Sequence, residues 1–440
     1  MFRRNPLDIT FGRIDEAWRR CGLPGVDIHL HLAFDGRIDA ERLAVAYIKL
    51  LKLYPIVDAV RRGDRWQAGP APRPHEAIHE VPAADFARTA ETLLNSRIAG
   101  AAPPFQMHII RGDDVGDGED PGDRLIVRWP HALADARGGV TLLEEIARLD
   151  RDRTPLADLA SAGDELRDDF GALDMNARGS EDALHEKQRG GKSTHPILHL
   201  VSSRPLPGER VGLEVRTLTP DQTRAAIAAS VQTCGIARVA DYLRASGIAV
   251  LDSLIPGQKP SNAAYTTLHL VDNRKRRDPA PVCHNVFSTI PVIVPAAIAQ
   301  DRAAVGDLIQ SAARHALERG DPAARLRRLR LLARLPHALV ARTMAWMLLS
   351  GRRWLPTGLA SAPSLPLGFM GPPGRDLAEF CGARLTGIYG VRVPSLHAGY
   401  AVNLNLAEDR LTIAMSFFEP RFPRPLAAEF VSRLAARVTG

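Results

Sequence analysis

Apolar and polar residues alternate strictly in VDIHLHLAF, residues 26–34. Val26, Ile28, Leu30, Leu32 and Phe34 fall on one side, and Asp27, His29, His31 and Ala33 on the other, the period of a half-buried strand. Asp35-Gly36 then supplies a turn, and Asp39 is placed to cap a helix over AERLAVAYIKLLKLY that Pro55 ends. Further strands are predicted at FQMHIIR (105–111) and RLIVRW (124–129). Pro130 closes the latter, having no N–H to give to a ladder. The acidic, glycine-bearing GDDVGDGEDPGD between them (112–123) reads as a solvated loop, and VTLLEEIARLD, from Gly139 on, as an amphipathic helix.

The second half repeats this style. GLEVRTLTP has the look of a strand, helices run through 220–255, and YTTLHLVD (265–272) is another strand. HNVFSTIPVIV (284–294) is a strand run interrupted by Pro291, and residues 300–354 are mostly helical and basic. GYAVNLNLAEDRLTIAMSFFEP (399–420) reads as a two-strand hairpin, and LAAEFVSRLAARV closes the chain with a helix. Residues 174–196 are polar, carry glycines and have no period, as expected of a crossover. The order of elements predicts an α+β fold, a two-layer sandwich, with an N-terminal lobe at 1–175, a linker at 176–196 and a C-terminal lobe at 197–440.

Composition narrows the functions. With 440 residues and 45% hydrophobic content, the chain has material for two large cores. Its four cysteines, at 21, 234, 283 and 381, form no C-x-x-C, which argues against a zinc-ribbon metal site and against a disulfide framework. The N-terminus lacks a signal-peptide apolar core and no window of 18 apolar residues occurs, so a cytoplasmic setting is expected. A net charge of +7 favours anionic partners such as phosphates, acidic carrier proteins or anionic lipid. Aromatic content of 5%, with no basic run interleaved with stacking residues, speaks against nucleic acid. Neither G-x-G-x-x-G, a P-loop nor G-x-S-x-G is present, which removes nucleotide redox chemistry, phosphoryl transfer and an elbow serine.

The remaining candidate chemistry is an H-x-x-x-D spacing that occurs both at His31–Asp35 and at His131–Asp135. His31 lies within the alternating strand, where a partly exposed strand histidine is the plain reading. His131 follows an apolar strand and precedes a small-residue turn and a helix, a mount suited to a catalytic group and equally open to a structural histidine. Gly138 and Gly139 give the helix either close approach to the strand or a cap. Cys283, on an apolar strand, is read as core.

The strand–H-x-x-x-D-x-x-G–helix context of RWPHALADARGG (128–139) resembles the active-site loop of the chloramphenicol-acetyltransferase-like superfamily. That superfamily includes wax ester synthase/diacylglycerol acyltransferases, polyketide-associated acyltransferases and condensation domains. The resemblance extends to NPLD (5–8), DGRIDAERL (35–43), LYPIV (53–57), VDNRKRRDPAPVCHNVFSTIPV (271–292) and GFMGPPG (368–374), and so covers nearly the whole chain. It assigns HLAFDG to the first strand and its turn. Pro130 stands where many members carry a first histidine, and Ala136 where a glycine follows the aspartate. These departures bear on condensation domains more than on acyltransferases.

The resemblance implies two lobes in a V-shaped arrangement with an interlobe channel, and acyl transfer from a thioester to a hydroxyl or amine. Neutral imidazole suits the proton-accepting step, which makes His131 the candidate general base. Asp135 is implied to pair with Arg274 and fix the loop, and Asn285 to donate to the oxyanion, with Asn403 and Asn405 as weaker candidates. The basic helices carry Arg325, Arg327, Arg328, Arg330, Arg334, Arg352 and Arg353, beside Trp346 and Trp354. Arg325, Arg328, Arg352 and Arg353 are the candidates for contact with coenzyme A, an acyl carrier protein or a membrane surface at the inner face; a solvated cationic face is the alternative. No bound cofactor is expected, an acyl-CoA or acyl-carrier thioester being the co-substrate and a small alcohol or amine the acceptor. A catalytically silent binding or scaffold protein on the same fold, or an amide-forming condensation enzyme, stands as the other reading.

Overall fold

The computed structural model describes residues 5–62, 65–67, 69, 74–82, 85–100, 102–112, 122–152, 154–159, 195–201, 206, 208–274, 283–349, 363–407 and 409–440. It opens on a helix that the alternation pattern does not predict, α1 (Pro6–Arg20). Its start is nevertheless written in the sequence. Asn5 caps the helix, Pro6 takes the first position, and the Asp8 side chain returns to the Asn5 amide to complete a capping box.

β1 (Asp27–Asp35) and α2 (Ala40–Leu53) follow as expected, with Asp39 accepting from the Glu41 and Arg42 amides at the helix start. A small ribbon of β2 (Val60–Arg62) and β3 (Arg65–Gln67) precedes α3 (Pro74–Ala77), β4 (Ile78–Val81) and α4 (Phe86–Asn95). Then come β5 (Gln106–Ile110), β6 (Arg124–Pro130) and α5 (Ala136–Arg151). α5 begins at Ala136, three residues ahead of the expected Gly139, because Asp135 is its cap.

After the crossover, of which only residues 195 and 196 lie among the described residues, come β7 (Arg210–Thr217), α6 (Pro220–Cys234) and α7 (Val239–Leu254). β8 (Ala264–Asp272) pairs antiparallel with β9 (Phe287–Pro295). Pro291 does not interrupt β9, which among the described residues pairs with β8 alone and lies at an edge where a missing N–H is tolerated. Three helices follow: α8 (Arg302–Glu318), α9 (Asp321–Ala333) and α10 (His337–Leu349). The chain closes with β10 (Leu367–Met370), β11 (Glu379–Phe380), β12 (Ala383–Arg392), the hairpin of β13 (Tyr400–Ala407) and β14 (Arg410–Glu419), and α11 (Arg424–Thr439). No described helix is long and apolar enough to cross a membrane.

Two sheets organise these elements. The first has the order β11-β12-β1-β6-β5-β4 and the second β10-β13-β14-β7. β12 comes from the C-terminal stretch yet lies antiparallel to β1, from Ile28–Arg392 to Asp35–Arg384, so the C-terminal half donates a strand to the sheet of the N-terminal half. The apolar face of β1 packs with Leu43, Tyr47 and Leu50 of α2 and Val140, Leu143 and Ile146 of α5. A second core gathers β13 and β14 against Tyr242 and Ile248 of α7 and Phe430 and Leu434 of α11.

The other face of β1 was expected to be half open and is closed. His29 and His31 are both fully buried, because α4, Tyr389 of β12 and Leu213 of β7 cover that side of the sheet.

Candidate active site

RWPHALADARGG carries the chain from the end of β6 through a turn into α5. The His131 amide donates to the Val26 carbonyl at 2.8 Å, and the Leu133 amide to the Pro130 carbonyl at 2.8 Å, which fixes the turn on β1 and β6. The imidazole lies flat on the Phe11 ring of α1, with centroids 3.5 Å apart and planes 8° from parallel. Phe287 at the start of β9 is 6.0 Å away. Burial among these groups pushes the His131 pKa down to about 4, although its own backbone, Asp135 and Asn285 act in the other direction. The ring is therefore neutral through the middle of the pH range, the state in which an imidazole accepts a proton.

Asp135 organises the loop and makes no hydrogen bond to the imidazole. Its Oδ1 accepts the Gly138 amide at 2.7 Å, capping α5, and the Arg274 guanidinium at 2.8 Å. Its Oδ2 accepts the Val286 amide at 3.0 Å. Arg274 also donates to Asp272 at 3.1 Å and to the His284 carbonyl at 2.5 Å. One carboxylate thus joins the start of α5 to the end of β8 and the start of β9.

The two glycines after it serve close approach. A Cβ on Gly138 would stand 2.0 Å from the Cys283 carbonyl oxygen, and one on Gly139 would stand 2.1 Å from the Trp129 ring. Cys283 is buried in the core beside them, its thiol pushed up to about 12 by burial.

Asn285 is fully buried, and its Nδ2 donates to the His131 carbonyl and to Asp8 Oδ1, both at 2.7 Å. Both amide hydrogens are taken, so in this geometry the group expected at an oxyanion instead holds the His131 backbone. Its own carbonyl accepts from Asn5 Nδ2 at 3.0 Å. The capping box of α1 is therefore wired to the His131 loop through Asn285. Asn5, Asp8 and Phe11 escaped the reading of single residues, although N-P-L-D carries a capping-box signature. Arg392, at the end of β12, also escaped it. Its guanidinium donates to the Pro366 carbonyl, and burial followed by Arg244 lowers its pKa to about 10.

The remaining candidates lie elsewhere. Arg325 turns inward and donates to the Thr289 backbone and hydroxyl, which takes it off the outer face expected of it. Arg328 is partly exposed on α9, while Arg352, Arg353 and Trp354 fall outside the described residues. Asn405 is buried and accepts the Gly390 amide at 2.9 Å, which ties β13 to β12; Asn403 sits beside Gly368 of β10. The rival pair separates: His31 Nδ1 meets Tyr389 Oη at 3.1 Å inside the core, while Asp35 pairs with Arg384 at the exposed strand end. No cluster of histidine, cysteine or carboxylate side chains suited to a metal ion occurs among the described residues.

The chain matches no family model and no curated protein sequence. Its structure, however, resembles many solved ones. The trichothecene 15-O-acetyltransferase of Fusarium sporotrichioides superposes with a TM-score of 0.71 at 14% identity, over 99% of this chain and 94% of that one. The first condensation domain of the calcium-dependent antibiotic synthetase gives 0.65 at 12% identity, over 100% and 96%. Polyketide synthase associated protein 5 of Mycobacterium tuberculosis gives 0.57 at 16% identity, over the whole of both chains. The chain shares the mixed helix-and-sheet fold of these acetyltransferase and condensation-domain structures.

Proposed function

We propose that the protein is an acyltransferase that moves an acyl group from a thioester, on coenzyme A or an acyl carrier protein, to a hydroxyl acceptor. The observation that carries this reading is the placement of His131. A neutral imidazole stands at the end of β6, its backbone tied to Asn285 and its loop locked by Asp135 and Arg274. Neighbours of the same fold include an enzyme named for O-acetyl transfer, which supports an ester product over an amide. The fold is also that of condensation domains and a polyketide synthase associated protein, which supports a carrier-bound donor beside coenzyme A.

In this mechanism His131 takes the proton from the acceptor hydroxyl as its oxygen attacks the thioester carbonyl. The tetrahedral intermediate collapses with cleavage of the C–S bond. The thiolate leaves with the proton that the imidazolium returns, so the histidine is restored. Asp135 and Asn285 are positioning residues: the first orients the loop through Arg274 and the second holds the His131 carbonyl. The basic face around Arg328, together with Arg352 and Arg353, is the proposed contact for the phosphates of the donor.

The test follows release of free thiol from acyl-CoA and acyl-carrier donors with a panel of alcohols and amines. Turnover is expected with alcohols, and His131→Ala is expected to lower it by roughly 10²–10⁴ without loss of the fold. Equal turnover in His131→Ala overturns the base assignment. Absence of turnover with every donor favours a silent binding protein on this fold.

A further inference from the structure

A cavity of about 440 Å³ borders the His131 loop on its other side, and the proposed reaction does not use it. Its lining carries three carboxylates, Asp15, Glu16 and Asp27, with Arg19, Arg61, Arg97 and His337, and its apolar wall includes Trp66 of β3 and Pro130 of β6. Two of its three carboxylates are already compensated. Arg61 lies 3.0 Å from Asp15, Arg19 lies 2.7 Å from Glu16, and Asp15 also accepts the Val26 amide at 3.1 Å.

Asp27 differs. It is only 7% exposed, and among the described residues its carboxylate has no hydrogen bond and no ion pair, although Arg128, Arg97 and Arg61 act on it from further away. Gly25 preserves the space above it: a Cβ there would stand 3.2 Å from Asp27 Oδ1 and 3.4 Å from Asp15 Oδ1. A buried carboxylate left without a partner is unfavourable, and it lowers its free energy by acquiring either a proton or a counter-cation.

We propose that this cavity binds an organic ammonium ion, whose N–H groups go to the Asp27 carboxylate and whose carbon body lies against Trp66 and Pro130. An anion against Asp27 would be repelled by it, and an uncharged guest would give its carboxylate no direct ion-pair partner, the arginines that act on it forming none. A bare metal ion would need more than one free carboxylate, and Asp15 and Glu16 are held by arginines. An apolar wall and room for several heavy atoms suit an organic body. Asp27 stands opposite Pro130 in the β1–β6 ladder, so an occupant borders the residue before His131. Binding itself requires no acyl transfer, and its failure or success is read separately from turnover.

The charged groups acting on Asp27 are Asp15 of α1, Arg61 of β2, Arg97 after α4 and Arg128 of β6, and Glu16 and Arg19 of α1 and His337 of α10 share the cavity with it. Burial, followed by Asp15, pushes its pKa up to about 7, so a cation competes with a proton for the site. The experiment titrates the full chain with n-butylammonium at pH 8 by ligand-observed NMR, with n-butanol as the uncharged counterpart. Saturable binding of the ammonium is expected, weaker by about tenfold or more both for butanol and in Asp27→Asn, and unchanged in His131→Ala. In the unmodified protein the affinity falls as the pH is lowered from 8 to 6, a reading that needs no variant. Equal binding of the two probes, unchanged affinity in a folded Asp27→Asn, a flat pH profile, or no saturable ammonium binding overturns the proposal.

Discussion

At the scale of single residues, the loop is governed by what has no side chain. Gly138 and Gly139 let the first turn of α5 press against the Cys283 carbonyl on one side and the Trp129 ring on the other, with room for no Cβ. Gly138→Ala and Gly139→Ala are each expected to destabilise the fold by about 1–3 kcal/mol, as overpacking does. Gly138→Ala is the worse of the two, since a backbone carbonyl yields less than an indole. Urea midpoints of the two variants against the parent check the order, and an unchanged midpoint in either contradicts the crowding argument. These positions were legible in part: the paired glycines after Asp135 stand out in sequence, but their partners, Cys283 and Trp129, only meet in the fold. Phe11 was not legible, because nothing in α1's pattern says that one ring will cover His131.

At the scale of elements, β1 is the instructive case. Its alternation was legible and its apolar face is where the pattern puts it, yet the polar face is buried as well. Periodicity reports the chemistry of each face, not what a distant α4 or β12 lays over it. The result is a seam of histidines on one side of the sheet, His29 and His31 on β1 and His108 on β5, with His79 of β4 stacked on His108. Burial holds His31 and His108 neutral, with pKa values near 3, and holds His29 well below its ordinary value. The unfolded chain takes up these protons below about pH 6.5, while the folded chain resists until far lower pH. Stability is therefore full above that value and is lost as the pH falls toward 3. Urea unfolding at pH 7.5 and pH 5 is expected to show the loss, and His31→Phe to reduce its slope; a pH-independent midpoint contradicts it. α1 teaches the complementary lesson. Its start was written in N-P-L-D, but its role depends on Asn285, some 280 residues away in sequence.

At the scale of the whole molecule, order and type of most elements were legible, since long periodic stretches specify them. The partition between halves was less so, because no local signal marks β12 as the neighbour of β1. The ion pair of Asp135 with Arg274 was implied by the family resemblance and by no local pattern; it bridges residues 139 apart in sequence and joins the two halves of the chain. With both side chains at least 87% buried, loss of one partner is expected to destabilise by about 3 kcal/mol, the lower end for such pairs because Asp272 still attends Arg274. A double-mutant cycle of Asp135→Asn and Arg274→Gln measures the coupling, and additive effects contradict a direct pair. The donated strand has a consequence for synthesis. β1 leaves the ribosome long before β12 exists, and until then one side of a strand bearing Leu30 and Leu32 carries unsatisfied backbone groups. The nascent N-terminal half must wait with an open edge for nearly the whole chain to be made. A fragment ending before residue 383 never closes that edge.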